Sequence, residues 1–326
     1  MLSYKLLYKF FSVLVIIQIG LVFFMIAKSN TTAQSSIMEV SAPQNNFEYF
    51  NTHSTQSNSQ SSLELKANSN QKIKLPILMY HHIATTQGVP ENDKVGIGLR
   101  VAPSIFEKQL QALQSKKYST VNSFQIQDYL DGKSTLPQNP ILLTFDDGFK
   151  DNYDNAFPLL QKYNMTGDFA IITSVSGTGE YMSWENLKEM KSAGMGFASH
   201  THSHCTSAIK NGKNGYQDSP SDALEKPCSK FATQERLTTG QIKYEFSISK
   251  KLLESNLGIK VSHLVYPFGF YNQQAKDIAK SLGYSFATTV EPQTDNFTDF
   301  GTNPFALERK RINGQQTGEP NGFFVK

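Results

Sequence analysis

From Leu75 onward the chain alternates between two hydrophobic patterns. Short apolar runs at LPILMYH (75–81), ILLTF (141–145), GDFAII (167–172), MGFAS (195–199), SHLVY (262–266) and YSFATT (284–289) have the length and β-branched or aromatic content of strands. Between several of them apolar residues recur every three or four positions. One such helix begins near Pro103 and places Phe106, Leu110 and Leu113 on one face. A second follows Ser183 as N-cap and stops at Gly194, and a long third ends at Gly258. Strand and helix in alternation over this length predict an α/β fold with a parallel sheet, closed most simply as a barrel with its helices outside. An open doubly wound sheet satisfies the same pattern.

The N-terminal part reads differently. Phe10 to Ala27 is almost unbroken apolar sequence, interrupted by Ser12, Gln18 and Gly20, and is close to the shortest helix that spans a hydrocarbon core of about 30 Å. Lys5 and Lys9 precede it and Lys28 alone follows it closely, which keeps the N-terminus cytoplasmic and sends the remainder outside. Thr31-Thr32-Ala33 is a weak cleavage site, so the segment is either a membrane anchor or a signal peptide whose removal would leave a secreted protein. Ser, Asn, Gln and Thr dominate from there to Lys74, with Phe47, Tyr49 and Phe50 as isolated aromatics, and such a tract cannot bury enough surface to order itself. The expected organisation is an anchor or signal segment at 1–28, a polar linker at 29–74 and one domain at 75–326.

Composition narrows the function classes. A 326-residue chain with 39% hydrophobic residues can bury one barrel-sized core, and a net charge of +3 spread along the chain implies no nucleic-acid partner. Protein partners are not legible. Cys205 and Cys228 are the only cysteines and both fall in the exported part, so a bridge between them is expected, closing a loop that starts one residue after His204.

Candidate chemistry concentrates in two segments, TFDDG (Thr144 to Gly148) and SHTHSH (Ser199 to His204). They supply adjacent carboxylates at Asp146 and Asp147, and imidazoles four residues apart at His200 and His204. Two neutral imidazoles and one carboxylate hold a divalent ion with positions left for water and substrate, and the spare carboxylate can act as a base. Three of the chain's seven histidines fall within five residues here, His202 between the other two, which makes a fortuitous surface cluster a poor account. The motifs follow predicted strands, at the rim where parallel barrels gather catalytic groups.

TFDDG, then H-T-x-x-H, then YPFG (Tyr266 to Gly269), resembles the polysaccharide deacetylase family, carbohydrate esterase family four. The leading MYHHI (Met79 to Ile83) makes the chain most similar to the branch that deacetylates poly-β-1,6-N-acetylglucosamine. The resemblance runs from about Leu75 to about Ile312. It implies a distorted (β/α) barrel with fewer than eight complete units, and N-deacetylation of an extracellular or cell-envelope polysaccharide. It also implies a divalent metal, zinc first with cobalt, nickel or iron as alternatives, on Asp147, His200 and His204. Asp146 would be the general base, His81 would lie beside the site with His82 pointing away, and the Phe268 backbone N–H would face the developing oxyanion.

Two departures stand out. Val265 occupies the position where many family members carry an arginine that steadies the catalytic aspartate, and no histidine follows His263 to supply the usual late general acid. Protonation of the leaving amine would then fall to His81, His202 or a metal-bound water, and a slow enzyme is expected. Rival readings are a noncatalytic carbohydrate-binding remnant, a two-histidine, one-carboxylate iron oxygenase, and a deacetylase of peptidoglycan or of an O-acetylated glycan. Tyr153, Trp184, Tyr266 and Tyr271 are aromatics that could stack on sugar rings, and none is assigned that role.

Overall fold

Seven parallel strands run side by side in a curled sheet, in the order 286–288, 263–265, 196–199, 168–171, 140–145, 77–80 and 310–311. The structure is a computed structural model that describes residues 72–205, 209–210, 213–214, 237–290 and 296–312. The strands are β2 (Ile77–Tyr80), β4 (Pro140–Phe145), β5 (Asp168–Ile171), β6 (Gly196–Ser199), β9 (His263–Val265), β10 (Phe286–Thr288) and β12 (Lys310–Arg311), with β3 (Ser119–Val121) beside the first half of β4. A short antiparallel pair, β1 (Lys72–Lys74) with β11 (Phe297–Asp299), lies apart, and β7 (Ile209–Lys210) pairs with β8 (Lys213–Asn214). Lys72–Lys74, within the stretch read as linker, is thus a strand. All six predicted strands are present: five are shorter than the apolar run that announced them, and the run at 141–145 gains Pro140.

One irregular stretch closes the sheet into a barrel. The Leu307 N–H donates to the Ala287 carbonyl at 2.9 Å and its carbonyl accepts from Thr289 N–H at 2.9 Å, after which the chain becomes β12 and pairs with β2. The ring is thus a distorted (β/α) barrel in which a bridge stands where a full unit would be.

The helices form where the sequence caps them. Pro103 opens α2 (Pro103–Ser115), which buries Phe106, Leu110 and Leu113. Ser183 makes a capping box with Asn186 at the start of α5 (Trp184–Ser192), and Gly194 follows it at φ 84°. Thr238 and Gln241 do the same for α6 (Thr239–Leu257), which ends on left-handed Gly258. The periodicity reading did not include α1 (Lys94–Gly98), α3 (Ser123–Leu130), α4 (Phe157–Lys162) or α7 (Gln273–Ser281), although Asn122 and Asn272 cap α3 and α7. A π-helical turn, Asn152–Ala156, leads into α4.

Alternation along the strands separates two environments. Leu78, Tyr80, Leu143, Phe145, Phe169, Phe197 and Leu264 pack outward against the helices. The other parity faces inward, where Ile77, Leu142 and Phe286 join a cluster with Ile73 and Leu75, and Ala170, Ala198 and Val265 form a layer of small side chains. Polar groups share that interior. Asp168 Oδ2 lies 2.8 Å from His263 Nδ1, Thr288 Oγ1 is 3.0 Å from His263 Nε2, and Asp168 Oδ1 accepts the Ser123 N–H at 2.8 Å. Burial holds the His263 pKa below its ordinary value despite the Asp168 carboxylate.

Residues 10–27, Phe47, Tyr49, Phe50 and Cys228 lie outside the described residues. Among the described residues no helix is long and apolar enough to cross a membrane.

Candidate active site

β4 delivers two buried carboxylates to the barrel rim and then sends them apart. Asp146 stays in register, its N–H donating to the Tyr80 carbonyl at 2.9 Å. Asp147 turns to φ 75° and Gly148 to φ 80°, a left-handed pair that a residue with a Cβ joins only where the surroundings compel it. The Asp146 carboxylate meets Arg309, and that of Asp147 meets two imidazoles.

The histidines come from the segment after β6. His200 N–H continues the ladder to the Ile171 carbonyl at 3.0 Å, and its Nδ1 donates to the Val265 carbonyl at 2.9 Å, leaving the Nε2 lone pair free to ligate. That Nε2 is 3.3 Å from Asp147 Oδ1, and His204 Nε2 is 3.6 Å from the same oxygen. Two ligands bonded at about 2.0–2.1 Å to a tetrahedral ion stand roughly 3.3 Å apart, so the trio matches such a centre. Both Asp147 oxygens are buried with no aligned hydrogen-bond donor, the condition of a carboxylate shaped for a cation. Burial opposes charge on His200, but the Asp147 and Asp146 carboxylates outweigh it and raise the His200 pKa, so the metal-free pocket favours positive charge between its two aspartates. Burial and the neighbouring His200 charge push His204 down to about 3. Asp147, Asp146, His200 and His204 are thus brought together as the motifs predicted, and the donor set fits a divalent metal.

Arg309 corrects the expectation of an unsteadied base. Wholly buried, it grips Asp146 with both ends of its guanidinium, Nη1 to Oδ1 at 2.7 Å and Nη2 to Oδ2 at 2.8 Å. Its Nη1 also reaches Thr144 Oγ1 at 3.0 Å, and its Nε donates to the Thr289 carbonyl at 3.0 Å. Burial pushes the Asp146 pKa up, and the Arg309 charge with that of His200 more than reverses it, keeping the carboxylate ionised. Val265 instead packs into the small-residue layer and lends its carbonyl to His200. The arginine comes from the closing stretch just before β12, a place the local motif could not reveal. In the sequence it is one of two arginines in the charged run Glu308 to Arg311, with nothing local to set it apart.

The remaining candidates fall around this core. His81 feels the charges of Asp147 and Asp146, its Nδ1 is buried without a partner, and burial lowers its pKa to about 4. His82 points away, its Nδ1 2.5 Å from Asp151 Oδ2 and its ring 3.7 Å from that of Phe149. His202 lies outside the ligand trio, with Nδ1 3.0 Å from Thr173 Oγ1 and its ring edge-on to Tyr244. Phe268, left-handed at φ 55°, sets its ring against that of His204 at 4.6 Å. Cys205 is buried and disulfide-bonded. Tyr153, Trp184, Tyr266 and Tyr271 pack on the outer core.

A parallel barrel with an arginine-clamped carboxylate beside an Asp-His-His trio at its rim is an arrangement suited to metal-assisted hydrolysis. The chain carries a polysaccharide deacetylase domain: residues 133–287 match that family. YxkH of Bacillus subtilis (strain 168), a candidate polysaccharide deacetylase, is 29% identical over 253 residues, 78% of this chain and 76% of that protein. The poly-β-1,6-N-acetyl-D-glucosamine N-deacetylase of Staphylococcus aureus (strain MSSA476) is 27% identical over 210 residues, 61% of this chain and 65% of that protein. Among solved structures, the Streptococcus pyogenes deacetylase PplD in complex with acetate shares the fold, with a TM-score of 0.61 and 24% identity over 77% of this chain and 96% of that one.

Proposed function

We propose that this polysaccharide deacetylase is a metal-dependent N-deacetylase that removes acetyl groups from N-acetylglucosamine units of a polymer outside the cytoplasm, with poly-β-1,6-N-acetylglucosamine the first substrate to try. One observation carries the reading: a carboxylate clamped by arginine, Asp146, stands next in sequence to a carboxylate aimed at two imidazoles, Asp147. Asp147, His200 and His204 would hold the ion, zinc foremost. When bound, the ion supplies a Lewis acid for the acetyl carbonyl and lowers the pKa of water at the site.

The protein's own groups divide the remaining work. Asp146, ionised and fixed by Arg309, accepts the proton of the attacking water through the lone pairs that Arg309 leaves open. The Phe268 N–H is assigned to the carbonyl oxygen as it gains charge. His81, neutral at rest, is assigned to take that proton from Asp146 and pass it to the departing amine, which returns both groups to their resting states. The products are acetate and a glucosamine residue. The S. aureus relative carries the substrate assignment, together with the MYHHI segment. An exported location accords with the apolar run 10–27 as anchor or signal and with the bonded state of Cys205.

The test compares metal content and turnover across variants. His200→Ala, His204→Ala and Asp147→Ala should each lose both together, whereas Asp146→Asn should keep stoichiometric metal and lose at least ~10²-fold in kcat. Stoichiometric metal in a His200→Ala/His204→Ala double variant would overturn the ligand assignment.

A further inference from the structure

The loop that carries both imidazoles is held in a shape its residues do not favour. Thr201 and His204 take φ values of 65° and 56°, left-handed positions in two residues with a Cβ, one of them β-branched. Such a backbone persists only where its surroundings over-determine it. Two side chains of α6, one helical turn apart, provide contacts that do so. Glu245 is wholly buried and accepts the Ser203 N–H on Oε2 at 2.6 Å. Ser249 meets the Ser199 hydroxyl at 2.8 Å, and that hydroxyl oxygen accepts the Thr201 N–H at 3.3 Å. The grip therefore brackets His200 and ends on the residue just before His204. Glutamate is seldom fully buried without strong partners, and here the charged acceptor sits on a backbone donor of the ligand loop.

We propose that Glu245 is a positioning residue for the metal-binding loop: its carboxylate fixes Ser203 and so aims the His204 imidazole at Asp147. This rests on the reading of Asp147, His200 and His204 as metal ligands. Glutamine keeps an acceptor oxygen for Ser203, and leucine, of similar volume, removes it.

The experiment uses the full chain, metal-free, as wild type, Glu245→Gln and Glu245→Leu. It measures zinc affinity by competition with a chromophoric chelator, amide hydrogen exchange across residues 199–205, and the thermal midpoint without metal. Glu245→Leu should bind zinc about 10–100-fold more weakly, as loss of a partner that orients a ligand does. Its Ser203 and His204 amides should exchange faster even without metal, and Glu245→Gln should recover most of the affinity. Unchanged zinc affinity in Glu245→Leu overturns the proposal, as does a loss that only tracks a lowered midpoint, since that marks a role in folding alone. Should Glu245→Leu not fold, Glu245→Met, which also lacks the acceptor oxygen, takes its place, with about tenfold weaker zinc binding expected and wild-type affinity contradicting. A wild type that binds no zinc refutes the metal reading itself, and that result appears in the wild-type arm alone.

Discussion

Arg309 and Asp146 lie more than 160 positions apart in sequence yet meet as a buried, two-bonded ion pair. Removing one member of such a pair strands the other charge in the interior, at about 3–5 kcal/mol, whereas removing both relieves most of that cost. Arg309→Met should therefore destabilise the metal-free protein by about that amount in urea unfolding, and Arg309→Met/Asp146→Asn by clearly less. Equal losses would mean that the pair contributes only packing. His81 and His204 give the site a pH signature. Both have folded pKa values, about 4 and about 3, below the ordinary 6.5, so the unfolded chain binds more protons as pH falls through that interval. Their stabilising contribution is present above 6.5 and lost toward 4 and 3, while the raised pKa of His200 works against it. The thermal midpoint of the metal-free protein should fall on acidification from about 7 to about 5, less steeply in His81→Ala, and a flat profile would contradict the burial of neutral imidazoles. The two aspartates and three of the histidines near the site were legible because short motifs hold them. Arg309 was not, because only chain closure brings it there.

Strand existence could be read from apolar runs because the six predicted strands are buried on both faces. The missed elements lack that signal. β3 is three residues long, β12 is two, and the apolar stripe of α7 is short and mostly alanine, Ala275, Ile278 and Ala279. Glycine marks one element contact that pattern reading also missed. A Cβ on Gly196 at the start of β6 would lie 2.0 Å from Asp168 Oδ1 and 2.7 Å from the Asn122 Cβ. Asp168 holds both His263 and the first N–H of α3, so crowding it disturbs two elements at once. Gly196→Ala should cost about 1–3 kcal/mol as overpacking does, read by urea unfolding. A neutral outcome would show that Asp168 can move aside without loss.

On the scale of the molecule, a closed ring of parallel strands puts groups from β2, β4, β6, β9 and the stretch before β12 at one rim, while inward small residues and the Asp168–His263 pair fill the space beneath. Alternation alone gave a parallel α/β sheet and did not separate a barrel from an open doubly wound sheet, because the closure lies in a bridge at Leu307, in a stretch with no strand pattern of its own. The central claim is that this rim deacetylates an N-acetylglucosamine polymer with a bound divalent ion. The most direct measurement is acetate release from poly-β-1,6-N-acetylglucosamine by the purified chain, with and without added zinc, cobalt, nickel or iron, beside Asp146→Asn at equal metal content. Metal-dependent acetate release by the wild type, reduced at least ~10²-fold in Asp146→Asn, is the predicted result. Sugar binding without acetate release under any metal, or equal release by both proteins, would contradict it.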